Sequence, residues 1–183
     1  MLYFVRHGQT VLNTKRQFNG EFNEELNEVG LAQAKALEQK FKDENIKIDM
    51  VFCSPQIRTR QTLQGINLNK NIPVVYDNRL VERISGDLVG KPIEQNFLEN
   101  VYLNINSTVK INGLETIKEA FNRVHSLLNE IKQNYKNKNV LIVSHGFIGR
   151  AVYYYFNPIP PSGKLGDKPE SYPANCEVRC YKF

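Results

Sequence analysis

Cysteine is scarce in this sequence, and its three cysteines have neither metal-ligand spacing nor an even count that would suggest a disulfide framework. Cys176 and Cys180 are four residues apart in a tail with strand character. In extended chain they would be separated by about 13 Å, too far for a disulfide bond. We therefore expect a protein of the reducing cytoplasm.

Long hydrophobic runs are also missing. No apolar stretch approaches the length of a membrane span. The N-terminal segment MLYFVRHG reaches a charge after five residues and lacks the basic start and long apolar core of a signal peptide. We expect neither export nor association with a membrane.

Motifs for metal ions and nucleoside triphosphates are absent as well. There is no HExxH, no DxD and no acidic residue at a predicted strand end, which disfavours metal-dependent hydrolysis. The lack of GxxxxGK[ST] argues against a P-loop. We expect the protein to use no metal ion and no other cofactor.

The length and composition suit one globular domain, which we expect to span residues 1–183. The chain is 41% hydrophobic and 23% charged, and its length is enough to bury a full core. The net charge of +5 suits nucleic acid, acidic membranes or a pocket for small polyanions. Because the basic residues are scattered, and their one dense cluster (132–139) follows a helical stretch, we expect a small-molecule phosphate ester as ligand and no nucleic acid. A monomer and a homodimer both remain open.

Apolar patterning alternates between strand and helix along the chain. In the longest periodic element, 114–135, apolar residues recur every three or four positions, as in an amphipathic helix. The run 139–146 is almost continuously apolar, as expected of a strand inside a parallel sheet. The other predicted strands are 2–7, 50–54, 72–76 and one at the C-terminus, and the other predicted helices are 27–44, 54–66 (with Ser54 as N-cap) and 147–156. This order predicts a three-layer α/β/α domain with a mostly parallel sheet.

Two histidines share the same local context. His7 ends an apolar strand and precedes Gly8, and His145 ends another and precedes Gly146. Ligands of open α/β sheets bind outside the carboxyl ends of the strands, so neighbouring strands would aim both imidazoles into one crevice. Each glycine lets a ligand approach the backbone. A helix starting near Gly146 would also direct its amide groups at an anion.

Two arginines accompany these histidines. Arg6 precedes His7, and Arg58 lies in the first turn of the helix after the second predicted strand. Guanidinium groups bind phosphate oxygens through paired N–H donors. A lone histidine or arginine at a strand end is more often structural, but the repeated context predicts a phosphate-sized anion site. His125, beside the apolar face of the long helix, is interpreted as a surface or boundary residue.

These residues suggest a way to cleave a phosphoester without a metal ion. A neutral imidazole attacks phosphorus and forms a phosphohistidine, which water or another acceptor then opens. Nearby cations stabilise charge on the phosphoryl oxygens. The departing oxygen needs a proton, and the best candidate acid is Glu82, just after the third predicted strand. The alternative for Glu82 is a surface salt bridge, for example with Arg83.

Five blocks of the sequence resemble, in the same order, blocks of the histidine phosphatase superfamily, in its phosphoglycerate mutase-like branch. They are RHGQTVLN (6–13), LNEVGLAQA (26–34), SPQIRTRQT (54–62), LVERISGDLVGKP (80–92) and VLIVSHG (140–146). The resemblance implies a phosphoglycerate mutase-like fold without a metal ion, with His7 as the nucleophile and Glu82 as the proton donor. The residues implied to bind the transferred phosphoryl group or to line its pocket are Arg6, Thr10, Asn13, Arg58 and His145.

The same resemblance favours a phosphatase over a mutase. Cofactor-dependent mutases carry a longer insertion between the acid and the second histidine, with an Arg–Arg pair that helps to hold phosphoglycerate. Here no arginine occurs between Arg83 and Arg123, and the segments ERIS and FNGEFN depart from the mutase blocks. We expect a histidine acid phosphatase-type enzyme acting on a small phosphorylated metabolite. A phosphoglycerate mutase is the alternative, and a non-catalytic phosphate binder is disfavoured because it needs neither nucleophile nor acid.

The motifs do not specify the phosphomonoester. The segment 92–113 and the loop 157–173 are expected to form the rim that selects the leaving group. Sugar phosphates, α-ribazole phosphate and phosphoglycerates are the candidates that the family implies.

Overall fold

A five-stranded sheet forms the middle layer of the molecule. In the computed structural model, which describes residues 1–183, its strands are β1 (Leu2–Arg6), β2 (Met50–Cys53), β3 (Val74–Tyr76), β4 (Val140–Ser144) and β5 (Val178–Tyr181). Their spatial order is β3–β2–β4–β1–β5, and only the edge strand β5 runs antiparallel to its neighbour. The mostly parallel sheet predicted from the sequence is confirmed.

Helices pack on both faces of this sheet. They are α1 (Val11–Thr14), α2 (Glu28–Asp43), α3 (Ile57–Ile66), α4 (Gln95–Phe97, continued by a π-helical turn over Leu98–Tyr102), α5 (Ile117–Asn134) and α6 (Gly146–Phe156). Successive residues of β4 point to opposite faces: Ile142 joins the larger core under α5 and α6, and Leu141 the smaller core under α2 and α3. None of the helices has the length and apolar character that crossing a membrane requires.

The pairing of β1 with β4 brings the two predicted histidines together. The two strands are parallel neighbours with Arg6 opposite Ser144. The next residue of each strand is a histidine, so His7 and His145 leave the sheet side by side at its carboxyl edge. Burial on both faces explains why these strands are the most continuously apolar segments of the sequence.

The start of α3 differs from the prediction. This helix begins at Ile57 and its N-cap residue is Gln56, not Ser54. The Ser54 hydroxyl instead lies 2.8 Å from His145 Nε2. A residue predicted to begin a helix therefore supports a site histidine.

Candidate active site

A cavity of about 400 Å³ opens beyond the carboxyl ends of β1 and β4. Four of the residues predicted from the sequence line it: Arg6, His7, Asn13 and Glu82. The other four, Thr10, Arg58, His145 and Gly146, are buried behind the wall. No cluster of three or more histidine, cysteine or acidic side chains is arranged to hold a metal ion.

His7 presents one ring nitrogen for reaction. Its Nδ1 lies 2.7 Å from the carbonyl oxygen of Gly8, and because a carbonyl oxygen only accepts, the geometry assigns the ring proton to Nδ1. Burial lowers the pKa of His7 well below its ordinary value of 6.5, and the positive charges of Arg58 and Arg6 lower it further. At neutral pH the imidazole is therefore uncharged, with its lone pair on Nε2.

His145 lies next to His7, with 5.2 Å between the ring centroids. Arg58 Nε donates to His145 Nδ1 at 3.2 Å, so the ring proton is on Nε2, 2.8 Å from Ser54 Oγ. Burial lowers the pKa of His145 well below 6.5, and the positive charges of Arg58 and Arg6 lower it further. Both ring nitrogens of His145 are thus engaged by protein groups.

Arg58 is completely buried and is held by backbone oxygens. Its Nη1 donates to the Phe22 carbonyl at 2.7 Å and its Nη2 to the Gly20 carbonyl at 2.9 Å. Burial lowers the pKa of Arg58 to about 10, which still leaves the group charged at neutral pH. Arg58 places a positive charge behind the two histidines without lining the cavity.

Arg6 does line the cavity, and the C-terminal tail fixes its position. Its Nη1 donates to the Pro173 carbonyl at 2.9 Å, and its guanidinium lies 4.7 Å from the centre of the Tyr172 ring. Its Nε–H is buried without an acceptor. The same ring packs on Gly146, where a Cβ would come within 2.6 Å of it. The glycine after His145 therefore accommodates a tyrosine rather than a ligand.

Two amide side chains, Asn13 and Asn175, complete the polar wall. Asn175 Nδ2 donates to the His7 carbonyl at 2.8 Å and lies 3.4 Å from Asn13 Oδ1. Asn13 Oδ1 also accepts from the Thr10 backbone amide at 3.3 Å, which leaves the Asn13 NH₂ group to donate to a ligand. Thr10 is the N-cap residue of α1, and its hydroxyl oxygen accepts from the backbone amide of Asn13 at 3.3 Å.

Glu82 turns its carboxylate towards two backbone amides. Oε1 accepts from the Arg83 amide at 2.9 Å and Oε2 from the Phe147 amide at 3.3 Å. Phe147 is in the first turn of α6, so this helix directs its positive end at Glu82. The alternative of an ion pair with Arg83 does not form, because Arg83 donates to the carbonyls of Glu115 and Tyr102.

Gln56 connects the Glu82 segment with the chain around Gly20. Its Oε1 accepts from the Glu82 amide at 2.9 Å, while its Nε2 donates to the carbonyls of Gly20 at 3.3 Å and Phe22 at 3.4 Å. These are the two carbonyls that also bind Arg58. Sequence reasoning missed Gln56, because a glutamine ahead of a helix carries no signal of such a role.

The two buried histidines predict a fold that loses stability in acid. Both are neutral when folded and become protonated on unfolding below about pH 6.5, so the unfolded state binds more protons there. Above that pH the two histidines do not lower the free energy of unfolding. Below it, each should lower the free energy of unfolding by up to about 1.4 kcal/mol per pH unit. Urea unfolding at several pH values measures this slope.

The contribution of one histidine is isolated by a variant. His145→Asn should make the unfolding free energy less dependent on pH than in the wild type. His125 is only half-buried, so His125→Asn should change the slope less. Equal slopes in the wild type and His145→Asn would contradict a neutral, buried His145.

The chain is similar to a protein family and to individual proteins named as phosphatases. The family profile of the histidine phosphatase superfamily (branch 1) matches residues 2–178. The chain is 33% identical to the uncharacterized phosphatase PhoE of Bacillus subtilis, over 78% of this chain and 69% of that protein. It is 30% identical to phosphoserine phosphatase 1 of Hydrogenobacter thermophilus, over 83% of this chain and 74% of that protein. The fold is also similar to the solved structure of the protein encoded by an open reading frame of Mycobacterium tuberculosis. The TM-score is 0.77 and the identity 25%, over 97% of this chain and 88% of that one.

Proposed function

The chain belongs to the histidine phosphatase superfamily, and we propose that it is a metal-independent phosphatase that acts on a small phosphorylated metabolite through a phosphohistidine. We propose that residues 1–183 form one domain and that the enzyme is a phosphatase of the histidine acid phosphatase type. The observation that carries the proposal is His7, a buried neutral imidazole whose Nε2 lone pair is free of protein partners at a cavity lined by Arg6.

In the first step, His7 Nε2 attacks phosphorus as the bond from phosphorus to the leaving oxygen breaks. The electron pair of that bond stays on the leaving oxygen, which takes a proton from Glu82. The ring becomes positively charged as it is phosphorylated, and the hydrogen bond from Nδ1 to the Gly8 carbonyl stabilises this charge. In the second step, water gives a proton to Glu82 and attacks phosphorus, while the bond from phosphorus to Nε2 breaks and its electron pair returns to Nε2. Inorganic phosphate and neutral His7 are released.

Positive groups around His7 stabilise the transferred phosphoryl group. Arg6 reaches it from the cavity wall, and the Asn13 NH₂ group offers a further donor. We also assign Arg58 and His145 to the phosphoryl group. The charge of Arg58 already acts on the His7 ring, whereas contact through His145 Nε2–H would require it to leave Ser54.

Phosphoglycerate mutase is the second candidate, and the cavity wall disfavours it. The segment between Glu82 and His145 contributes Ile93, Leu98, Tyr102 and Leu103 to the cavity and no cation. A carboxylate on the leaving group therefore finds no charge from this segment. Incubation with 3-phosphoglycerate distinguishes the two: a phosphatase releases inorganic phosphate, whereas a mutase moves the phosphoryl group to another oxygen of the substrate.

Chelation and vanadate test the metal-independent chemistry. EDTA should leave the hydrolysis of p-nitrophenyl phosphate unchanged, because every proposed step uses protein groups and water alone. Vanadate should inhibit, because its five-coordinate form resembles the transition state. Activity that disappears on chelation and returns with Mg²⁺ or Zn²⁺ would rule out the proposed mechanism.

We further propose the cytoplasm as the compartment of the enzyme. All three cysteines are free, and burial raises the pKa of Cys53 and that of Cys176 to about 12. Unpaired thiols suit a reducing environment.

A further inference from the structure

The cavity changes character away from His7. Its apolar part is formed by six side chains: Phe18, Ile93, Leu98, Tyr102, Leu103 and Phe147. We call these six residues the apolar wall. Four of them come from the segment 93–103, and the two acidic residues of that segment do not line the cavity.

The three aromatic rings of the apolar wall pack against one another. The Tyr102 ring packs against Phe18, with 4.8 Å between centroids, and against Phe147, with 6.0 Å. Ile93 and Leu98 are only partly buried, so their apolar surface stays accessible from the cavity. An apolar ligand body would cover this surface and displace water from it.

Two of the three cavity arginines, Arg6 and Arg150, lie together at the Tyr172 ring. Arg150 is centred 4.9 Å from the Tyr172 ring that also stacks on Arg6, and it donates to the Leu165 carbonyl at 3.0 Å and to Ser171 Oγ. It therefore belongs to the phosphate end. Arg16 borders the apolar wall, because its carbonyl accepts from the Ile93 amide at 2.8 Å, and Arg16 itself is solvent-exposed.

We propose that the substrate is the phosphate monoester of an apolar alcohol, aliphatic or aromatic. Its phosphoryl group lies against His7 and its alcohol portion packs on the apolar wall. This rests on the proposed phosphatase function and names the leaving group that the cavity selects. A cavity of about 400 Å³ accommodates a phosphoryl group with an alcohol of several carbon atoms.

A series of n-alkyl phosphates tests this inference. From ethyl to hexyl phosphate the leaving alkoxides have nearly the same reactivity, so a trend in kcat/KM reports the contact with the apolar wall. Burying one methylene is worth about a fourfold change in binding. We expect kcat/KM to rise by about that factor per methylene until the cavity is filled, and phosphoserine to be at least about tenfold poorer than butyl phosphate.

A pair of variants locates the effect. Leu98→Asn places an amide in the apolar wall and should reduce the gain per methylene to less than about twofold. Leu31→Asn is the matched control, because Leu31 is 49% exposed on α2 and does not line the cavity. It should leave the whole series unchanged.

The possible results test the apolar substrate separately from the phosphatase function. A flat series, or a preference for phosphoserine over butyl phosphate, would overturn the apolar substrate while hydrolysis of p-nitrophenyl phosphate still supports a phosphatase. An equal trend in Leu98→Asn and the wild type would also overturn it. A folded protein that releases phosphate from none of these esters would overturn the phosphatase function as well.

Discussion

Replacing His7 with alanine should lower kcat/KM for every phosphate ester by about 10⁴-fold or more. The reason is the loss of the reaction path itself, because no other imidazole nitrogen of the site is free: both nitrogens of His145 are engaged, by Arg58 and Ser54. Steady-state release of phosphate measures the effect, and circular dichroism verifies the fold.

A matched control uses the third histidine. His125 lies outside the cavity and its Nε2 is 2.9 Å from the Ala151 carbonyl, so His125→Ala should retain activity of the wild-type order. A folded His7→Ala protein that retained more than about a tenth of the wild-type activity would exclude His7 as the nucleophile.

Replacing Glu82 with glutamine should separate two kinds of substrate. Alkyl phosphates have poor leaving groups and should be hydrolysed about 10²–10⁴-fold more slowly, because the departing alkoxide no longer receives a proton. p-Nitrophenyl phosphate should be affected much less, since its phenolate leaves without assistance. The glutamine amide oxygen can still accept from the Arg83 or Phe147 amide that now binds Glu82, so its position is retained.

Two further variants serve as comparisons for Glu82→Gln. Arg6→Ala should slow both kinds of substrate comparably, because Arg6 binds phosphoryl oxygens that all esters share. Glu99 is an exposed acidic residue outside the cavity. The substitution Glu99→Gln should therefore leave the hydrolysis of both kinds of substrate unchanged. If Glu82→Gln slowed both kinds of substrate equally, Glu82 would be a binding or structural residue and His145 the next candidate acid.

The layout of the fold was accessible from the sequence because its signals are local. Burial on two faces makes β1 and β4 continuously apolar, and alternation with helices predicts the parallel sheet. The three-layer fold is confirmed. Short elements escaped prediction: α1 has four residues and depends on its Thr10 cap, too little for a periodic pattern.

Much of the site depends on contacts that the sequence does not encode locally. Asn175 reaches His7 from 168 residues along the chain, and Tyr172 reaches Arg6 over a similar separation, with no local sequence signal at either residue. The position of Arg58 after a strand gives no sign of its partners, which are two backbone carbonyls and His145 Nδ1. A residue that follows a strand in the sequence is predicted to lie at the carboxyl edge of the sheet. Its hydrogen-bond partners depend on how distant segments of the chain pack there.

The phosphorylated enzyme is the species on which the proposed mechanism depends. Rapid acid-free quenching of the wild type during turnover of a radiolabelled phosphate ester, followed by peptide mapping, detects it directly. We expect an acid-labile, base-stable label on His7 in the wild type and no label in His7→Ala. A label on His145, or phosphate release without any labelled protein under conditions of rapid turnover, would contradict the mechanism.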